Sequence, residues 1–482
     1  MLTESEILKF INDDEASDIK KFAKVGQRYY EGNHDIKWYK LFYYNADGQL
    51  VEDKTRSNIK ISHPFFTELV DQEVQYLLSG KDGFVFSDTP ELQTELNQYF
   101  NENEDFQSEL NELLTGAISK GFEYMYAYKN ADNKTAFQCA DSMGTVEVRA
   151  KDTDDGCEYV IYWYIDRIDK GRKPITRIQV WDKEQTYFYV RSGNGKLILD
   201  ESEPINPRPH TIYSKGNDKS KYYEGFGFIP FFRLDNCKKR FSGLKPIKEL
   251  IDDYDLMSCG LSNNLQDASE YLVVVSGFQG DNLEELIQNT KTKKHIGVEP
   301  GGSVDFKTVD VPYEARKTKL ELDEKNIYRF GFGLNTSSLK DTTATTNIAI
   351  KAAYSLLDLK CNKLEIRLKQ FLRKILKVVL DEINQNNGTD YQQKDVYIRF
   401  EREIPTNSQE NAQIELTDAQ KQQVQINTLL NLANTLDQET IVQNICEVLD
   451  LDYENLKNKL PVNEEQNTLD AQNTLNNLVG MS

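Results

Sequence analysis

Few residues of this 482-residue chain have the types and spacing that chemistry needs. Asp252, Asp253 and Asp255 are its densest carboxylates and suggest a cation site. Positions i, i+1 and i+3 of a helix do not converge on one ion, so the three read as a solvated helix face and no metal is expected. The four histidines, at 34, 63, 210 and 295, form no H-E-x-x-H pattern. His63-Pro64 reads as a helix start, and catalysis by any of the four is not expected. The glycine pairs Gly225/Gly227 and Gly331/Gly333 lack the rest of a G-x-x-x-x-G-K-[ST] loop, which argues against a nucleotide-driven motor. A metal-dependent nuclease would need carboxylates gathered from separate elements, and no local motif asks for that. The expectation is a protein that is not an enzyme and needs no cofactor.

Two other groups could meet a polyanion. Between Gly333 and Thr346, the side chains of Asn335, Thr336, Ser337, Ser338, Thr342 and Thr343 offer hydrogen bonds to phosphate without sequence preference, and Lys340, beside Asp341, offers one firm contact. On the residues alone a solvated loop lysine is the expected reading, and the phosphate contact stands level with it only through the family resemblance given below. The second group is Lys351, Lys360, Lys363, Arg367, Lys369, Arg373, Lys374 and Lys377, set against only Asp358, Glu365, Asp381 and Glu382 in a chain of net charge −20. Ion pairs with acidic neighbours, within or between subunits, are expected of this basic face ahead of DNA binding.

These residues need positioning elements, and the longest runs from Thr346 to Gly388. Ile350, Tyr354, Leu357, Cys361, Leu364, Leu368, Phe371, Ile375 and Val378 recur in steps of three and four, one face of a single helix. Asn347 or a preceding threonine can cap it and Gly388 can end it, giving roughly 60 Å at about 1.5 Å per residue. The size of the chain suggests about three domains. Hydrophobic residues at 39%, charged at 28% and aromatic at 11% are those of a folded soluble protein. The acidic balance disfavours unspecific adhesion to nucleic acid or anionic lipid. Six cysteines without paired spacing read as buried reduced thiols of a cytosolic chain, and neither a signal peptide nor a membrane span is expected.

In chain order, helices are expected from Glu4 to about Tyr30, from His63 to Ser79, and near Glu91 to Phe100 and Phe106 to Ser119. A β-rich body follows to about Tyr213, with a turn at Ser192-Gly193-Asn194-Gly195. An amphipathic helix from Leu244 to about Tyr271 precedes a small α/β insertion: a strand at Tyr271 to Ser276, a capping box at Asp281 to Glu284 opening a helix to about Lys294, and two short strands around Glu299-Pro300-Gly301-Gly302. A second helix, Tyr313 to about Phe332, returns. Val396 to Glu403 reads as one alternating strand, and the chain from Thr406 as an acidic helical end.

The succession Ile229-Pro230-Phe231 before Asn236, then Leu250-Ile251-Asp252-Asp253-Tyr254-Asp255, Asp310-Val311-Pro312-Tyr313-Glu314-Ala315-Arg316, Gly331-Phe332-Gly333-Leu334-Asn335, and the segment from Ala349 to Lys360 resembles the portal proteins of long-tailed double-stranded DNA bacteriophages. The resemblance covers nearly the whole chain. It implies a mixed α+β, largely helical portal fold: wing (1–242), first stem helix (243–268), clip (269–310), second stem helix (311–332), tunnel loop (333–346), long wing helix (347–388), wing strand (389–405) and crown (406–482). The family loop often carries glycine ahead of the long helix; here it reads Thr342-Thr343-Ala344-Thr345-Thr346-Asn347.

The resemblance further implies a ring of twelve copies at one capsid vertex, assembled in the bacterial cytoplasm and carried in the virion. Double-stranded DNA would be packaged and ejected through it. Implied partners are the terminase large subunit, then a head–tail adaptor, with major capsid and scaffolding proteins around the ring and no membrane. Asp281, Glu284, Glu285, Lys291, Lys293 and Lys294 of the clip would carry partner docking, and Lys351, Lys360, Lys363, Arg367 and Lys374 would face a neighbouring subunit or the channel. Another ring component, a head–tail adaptor or minor capsid protein, is the alternative.

Overall fold

The computed structural model describes all residues except 1, 46, 55, 131–132, 150–155, 215–220, 268–271, 279–283, 285, 287–295, 308–312, 337–346, 405–407, 433–437, 450–452 and 454–482. It is a mixed α+β structure that divides into two compact units, residues 1–338 with 353–403, and residues 339–352 with 404–482.

In the first unit, α1 (Glu4–Glu15) and α2 (Asp18–Tyr30) stand where one helix was expected. The break follows from capping: the Ser17 hydroxyl accepts from Lys20 N, so Ser17 starts a new helix. Ile7 and Ile11 of α1 pack on Val146, Val148, Ile161, Ile178 and Val180 of an antiparallel meander. Its strands are β6 (Thr145–Arg149), β7 (Cys157–Ile168), β8 (Pro174–Trp181), β9 (Gln185–Ser192) and β10 (Ile198–Leu199), with β11 (Arg208–Pro209) pairing β9. Ala23 of α2 packs instead on Phe122, Tyr124 and Ala140 of a second sheet, β14 (Phe231–Asp235)–β4 (Phe122–Lys129)–β5 (Thr135–Ala140). Tyr126 and Phe231 of that sheet meet Tyr162 and Trp181 of the meander ring to ring. Three small pairs complete the β structure before residue 250 and at the chain's return: β1 (Phe42–Tyr44) with β2 (Leu50–Glu52), β12 (Thr211–Ser214) with β13 (Lys221–Glu224), and β3 (Val85–Phe86) with β17 (Tyr397–Ile398).

Helices α3 (Phe65–Leu77), α4 (Pro90–Leu96) and α5 (Glu104–Lys120) lie near these sheets, α4 running on through a π turn at Asn97–Asn101. Gly121, at φ +102°, ends α5 with the left-handed residue that a strand turning back on its helix requires. Ser242 and Gly243 are tied to the same end of α5, Ser242 Oγ donating to Ser119 O at 2.5 Å and Gly243 N to Ile118 O at 2.8 Å.

Helix α6 (Lys248–Asp267) and helix α7 (Tyr313–Gly331) form an antiparallel pair enclosing the ribbon β15 (Leu272–Phe278)–β16 (Val298–Lys307). Here β16 is one strand rather than two, because the Pro-Gly-Gly stretch is absorbed by Gly301 at φ +93° and a register shift between Ser276 and Phe278. Helix α8 (Asn347–Asn387) is one rod of 41 residues, closed by Gly388 at φ +67°. Of its expected apolar face, Leu357, Cys361, Leu364, Leu368, Phe371, Ile375 and Val378 are buried. The strand expected at Val396 to Glu403 shrinks to two paired residues, since its partner β3 offers only two. In the second unit, α9 (Ser408–Asn431) packs with α10 (Gln438–Val448). The six cysteines are free thiols, those at 259, 361 and 446 buried.

Candidate functional site

The carboxylates of α6 are not a solvated face. Asp255 is wholly buried: its Oδ2 accepts from His34 Nδ1 at 2.7 Å, and its Oδ1 from His63 Nδ1 at 2.7 Å and His63 N at 2.9 Å. Burial alone would raise this carboxyl, but the His34 and His63 bonds outweigh it and hold it below the usual aspartate range. Asp252 accepts from Tyr29 Oη and from Lys248 Nζ at 2.6 Å, and Lys248 also bridges to Asp35. Burial opposes ionisation of Asp35, yet Lys248 and Arg28 bring its carboxyl down to about 2. Asp253 pairs with Lys319 of α7 at 2.5 Å, and Lys319 also holds the buried Asp323. Each aspartate thus points to a different neighbour, which is why three adjacent residues do not act as one group. Together they fasten α6 to the segment before α3, to α2 and to α7.

Ser258 Oγ lies 3.4 Å from His63 Nε2, so serine, histidine and aspartate stand in hydrolase order. Ser258 is mid-helix, however, where backbone amides are spent on the helix itself and cannot form an oxyanion hole. Asp255 is shared by two histidines, and the arrangement is a clamp. Among the described residues no three His, Cys, Asp or Glu side chains could hold a metal ion, and no helix is long and apolar enough to cross a membrane.

The first residues of the expected tunnel loop are anchored. Phe332, at φ +58°, turns the chain at the end of α7, and Gly333 N donates to Tyr328 O at 2.9 Å. The Gln72 side chain of α3 holds the main chain of one residue on both sides, accepting from Leu334 N at 2.9 Å and donating to Leu334 O at 3.0 Å. A Cβ on Gly331 or Gly333 would come within 2.7 Å and 2.0 Å of Leu69, so both glycines are there for close packing on α3. Asn335 reaches Glu324 at 3.3 Å and Thr336 is exposed. Ser337, Ser338, Lys340, Asp341, Thr342 and Thr343 lie outside the described residues, as do Asp281, Glu285, Lys291, Lys293 and Lys294 of the expected clip site; Glu284 is exposed.

On α8, Lys360 is paired with buried Glu73 at 2.9 Å, and Lys363 stands 5.7 Å from the Phe332 ring centre. Lys351 and Lys374 are exposed and Arg367 is half-buried. Three of the four acidic residues of the helix are engaged: Asp358 and Glu365 by Arg402, Glu365 also by Lys369, and Glu382 by Lys129, while Asp381 is exposed. The basic positions are therefore spread along the rod rather than convergent. Sequence reasoning missed Arg402, His34 and His63 as the residues that tie elements together, because each acts on a partner far away in the chain.

Residues 8–450 match the family described as phage portal protein, SPP1 Gp6-like. The portal protein of Bacillus phage SPP1 is 27% identical over 351 residues, 72% of this chain and 67% of the relative. The portal protein of Clostridium phage phiCD119 is 25% identical over 397 residues, 78% of this chain and 84% of the relative. With the helix, ribbon, helix and long-rod order lying inside the matched span, the chain belongs to the SPP1 Gp6-like family of phage portal proteins.

Proposed function

We propose that this protein forms a ring, of twelve copies in the particle, at one capsid vertex, and that double-stranded DNA is packaged and ejected through its centre. The reading rests on the match over residues 8–450, which includes α6, the β15–β16 ribbon, α7 and the whole of α8 in one span. The ring is a structural part of the virion, assembled in the host cytoplasm, and does no catalysis. In this reading α6 and α7 are stem helices, the ribbon belongs to the clip that docks the terminase large subunit and then a head–tail adaptor, and the loop beginning at Asn335 meets DNA. The surface around the ring meets major capsid and scaffolding proteins.

The mechanism follows from charge. A chain at −20 repels the duplex and does not hold it, and hydroxyls with one lysine per subunit position it without reading bases. Electron microscopy of the purified protein is the test. Radially symmetric particles with a central hole are expected; a lone 55.7 kDa species at micromolar concentration and moderate salt overturns the reading.

A further inference from the structure

The hairpin β1–β2 is bare among the described residues. Phe42, Tyr43, Tyr44, Leu50 and Val51 are all exposed, Tyr44 at 74%, and so are Trp38 and Tyr39 just before them. Successive side chains of a strand point to opposite faces, so exposure of every one leaves both faces of the ribbon uncovered. Two strands alone are marginal in water, and a contiguous apolar surface of this kind marks a contact site. The hairpin is nevertheless well built. Its strands are paired from Phe42–Glu52 to Tyr44–Leu50, Asn45 Oδ1 accepts from Gln49 N at 2.8 Å in the turn, and Asp53 N donates to Leu41 O at 2.8 Å at the base.

Charge selects the occupant. Residues 37–60 carry Lys37, Lys40, Lys54, Arg56 and Lys60 against Asp47, Glu52 and Asp53. Two of those carboxylates are taken, Glu52 by Lys40 at 3.0 Å and Asp53 by Arg56 at 3.3 Å. Lys54 and Lys60 stay exposed and without an ion pair among the described residues. The complement lies in residues 84–119, with Asp88, Glu91, Glu95, Glu102, Glu104, Asp105, Glu109 and Glu112 and not one lysine or arginine. None of these eight carboxylates is ion-paired among the described residues. The two surfaces occupy different places in the first unit. The chain that follows the hairpin runs along the second half of α6, where Ile59 N donates to Asn263 Oδ1 at 2.7 Å, whereas α5 is tied to the approach to α6 at its C-terminal end, Gly243 N donating to Ile118 O, and carries its carboxylates toward its N-terminal end.

We propose that β1–β2 is an assembly arm that lies on the acidic α4–α5 face of the adjacent copy, a head-to-tail contact of the kind that closes a ring. The aromatic side chains supply buried area, and Lys54 and Lys60 fix orientation against the carboxylates. This rests on the ring reading above.

The test is a charge-reversal cycle on the full chain, followed by mass photometry across protein concentration and salt. Lys54→Glu with Lys60→Glu, and separately Glu104→Lys with Asp105→Lys and Glu112→Lys, should each raise the concentration at which half the protein is in rings by tenfold or more at low salt. All five changes in one chain should recover most of the loss. Phe42→Ser with Tyr44→Ser should reduce rings in a way that salt does not modify. Unchanged monomer circular dichroism and melting show that the variants fold. If both reversal sets assemble like the parent, or the combined chain is no better than either set, the arm is wrong while the ring stands. If the parent itself stays monomeric, the ring reading fails and the arm with it.

Discussion

Removing the carboxylate of Asp255 tests whether the first helix of the α6–α7 pair is locked to the chain's N-terminal layer by one buried acceptor. Asp255 takes three N–H bonds, from His34 Nδ1, His63 Nδ1 and the His63 backbone, at 2.7, 2.7 and 2.9 Å. Asp255→Ala strands all three donors, at about 1–3 kcal/mol for each one left without a partner. His63 is 27% exposed, so water relieves part of its share, while His34 is wholly buried and gains no such relief. The expected loss is about 3–5 kcal/mol, the range for breaking a buried, hydrogen-bonded pair from one side. Asp255→Asn keeps one acceptor and sets an N–H₂ against the other imidazole, for roughly half that cost. Guanidinium unfolding gives the totals, and hydrogen exchange along α6 shows whether the loss is local. Because the folded carboxyl is held below its ordinary value of 3.8, its contribution is complete above that pH and fades as pH falls through the folded value. The gap between parent and Asp255→Asn should therefore close only in strong acid. An Asp255→Ala protein within about 0.5 kcal/mol of the parent, with unchanged exchange in α6, would refute the clamp.

Three other outcomes are expected. Burial raises the Glu123 carboxyl to about 7, while Asp141, held low by Lys120 despite its own burial, serves as that lysine's anion. The fold then binds the extra proton, so stability falls as pH rises from 4.5 to about 7, and Glu123→Gln should remove that slope, gaining on the parent by up to about 3 kcal/mol in urea titrations at successive pH values. Gly333→Ala should cost about 1–3 kcal/mol through its clash with Leu69, with partial recovery when Leu69→Ala is added; additive losses would contradict the packing account. Lys340→Ala should leave ring stability within about 0.5 kcal/mol but lower packaging or retention of DNA, and particles of Lys340→Ala and Lys340→Glu that both fill like the parent would sink the loop contact.

Long-range order was legible where the signal is local and repeated. The rod of α8 declares itself because a three-and-four period over nine apolar residues has no other reading, and Gly388 marks its end with a backbone conformation other residues avoid. Ser17 was an equally local signal, a cap inside an apparently continuous helix, hidden because the apolar period resumes at once on the far side. The short β17 shows a different limit: alternation tells which residues could pair, and the partner strand decides how many do. Asp255 was misread for a deeper reason. Spacing along α6 says what three neighbouring side chains can do together, but this one is governed by His34 and His63, 221 and 192 positions away.

The grip of Gln72 on the main-chain N–H and C=O of Leu334 is a ruler as well as a tie. Its amide presents one acceptor and one donor, and a single residue of the passing chain answers both. Slipping α7 by one position against α3 would present a different residue's N–H and C=O and carry Gly331 and Gly333 out of the gaps beside Leu69. Glutamate there would lose the donor and leucine would lose both bonds. Changes in chain length should therefore be tolerated only on the far side of Asn335, so that relatives lengthen or shorten the following loop while the count from Tyr328 to Leu334 is kept.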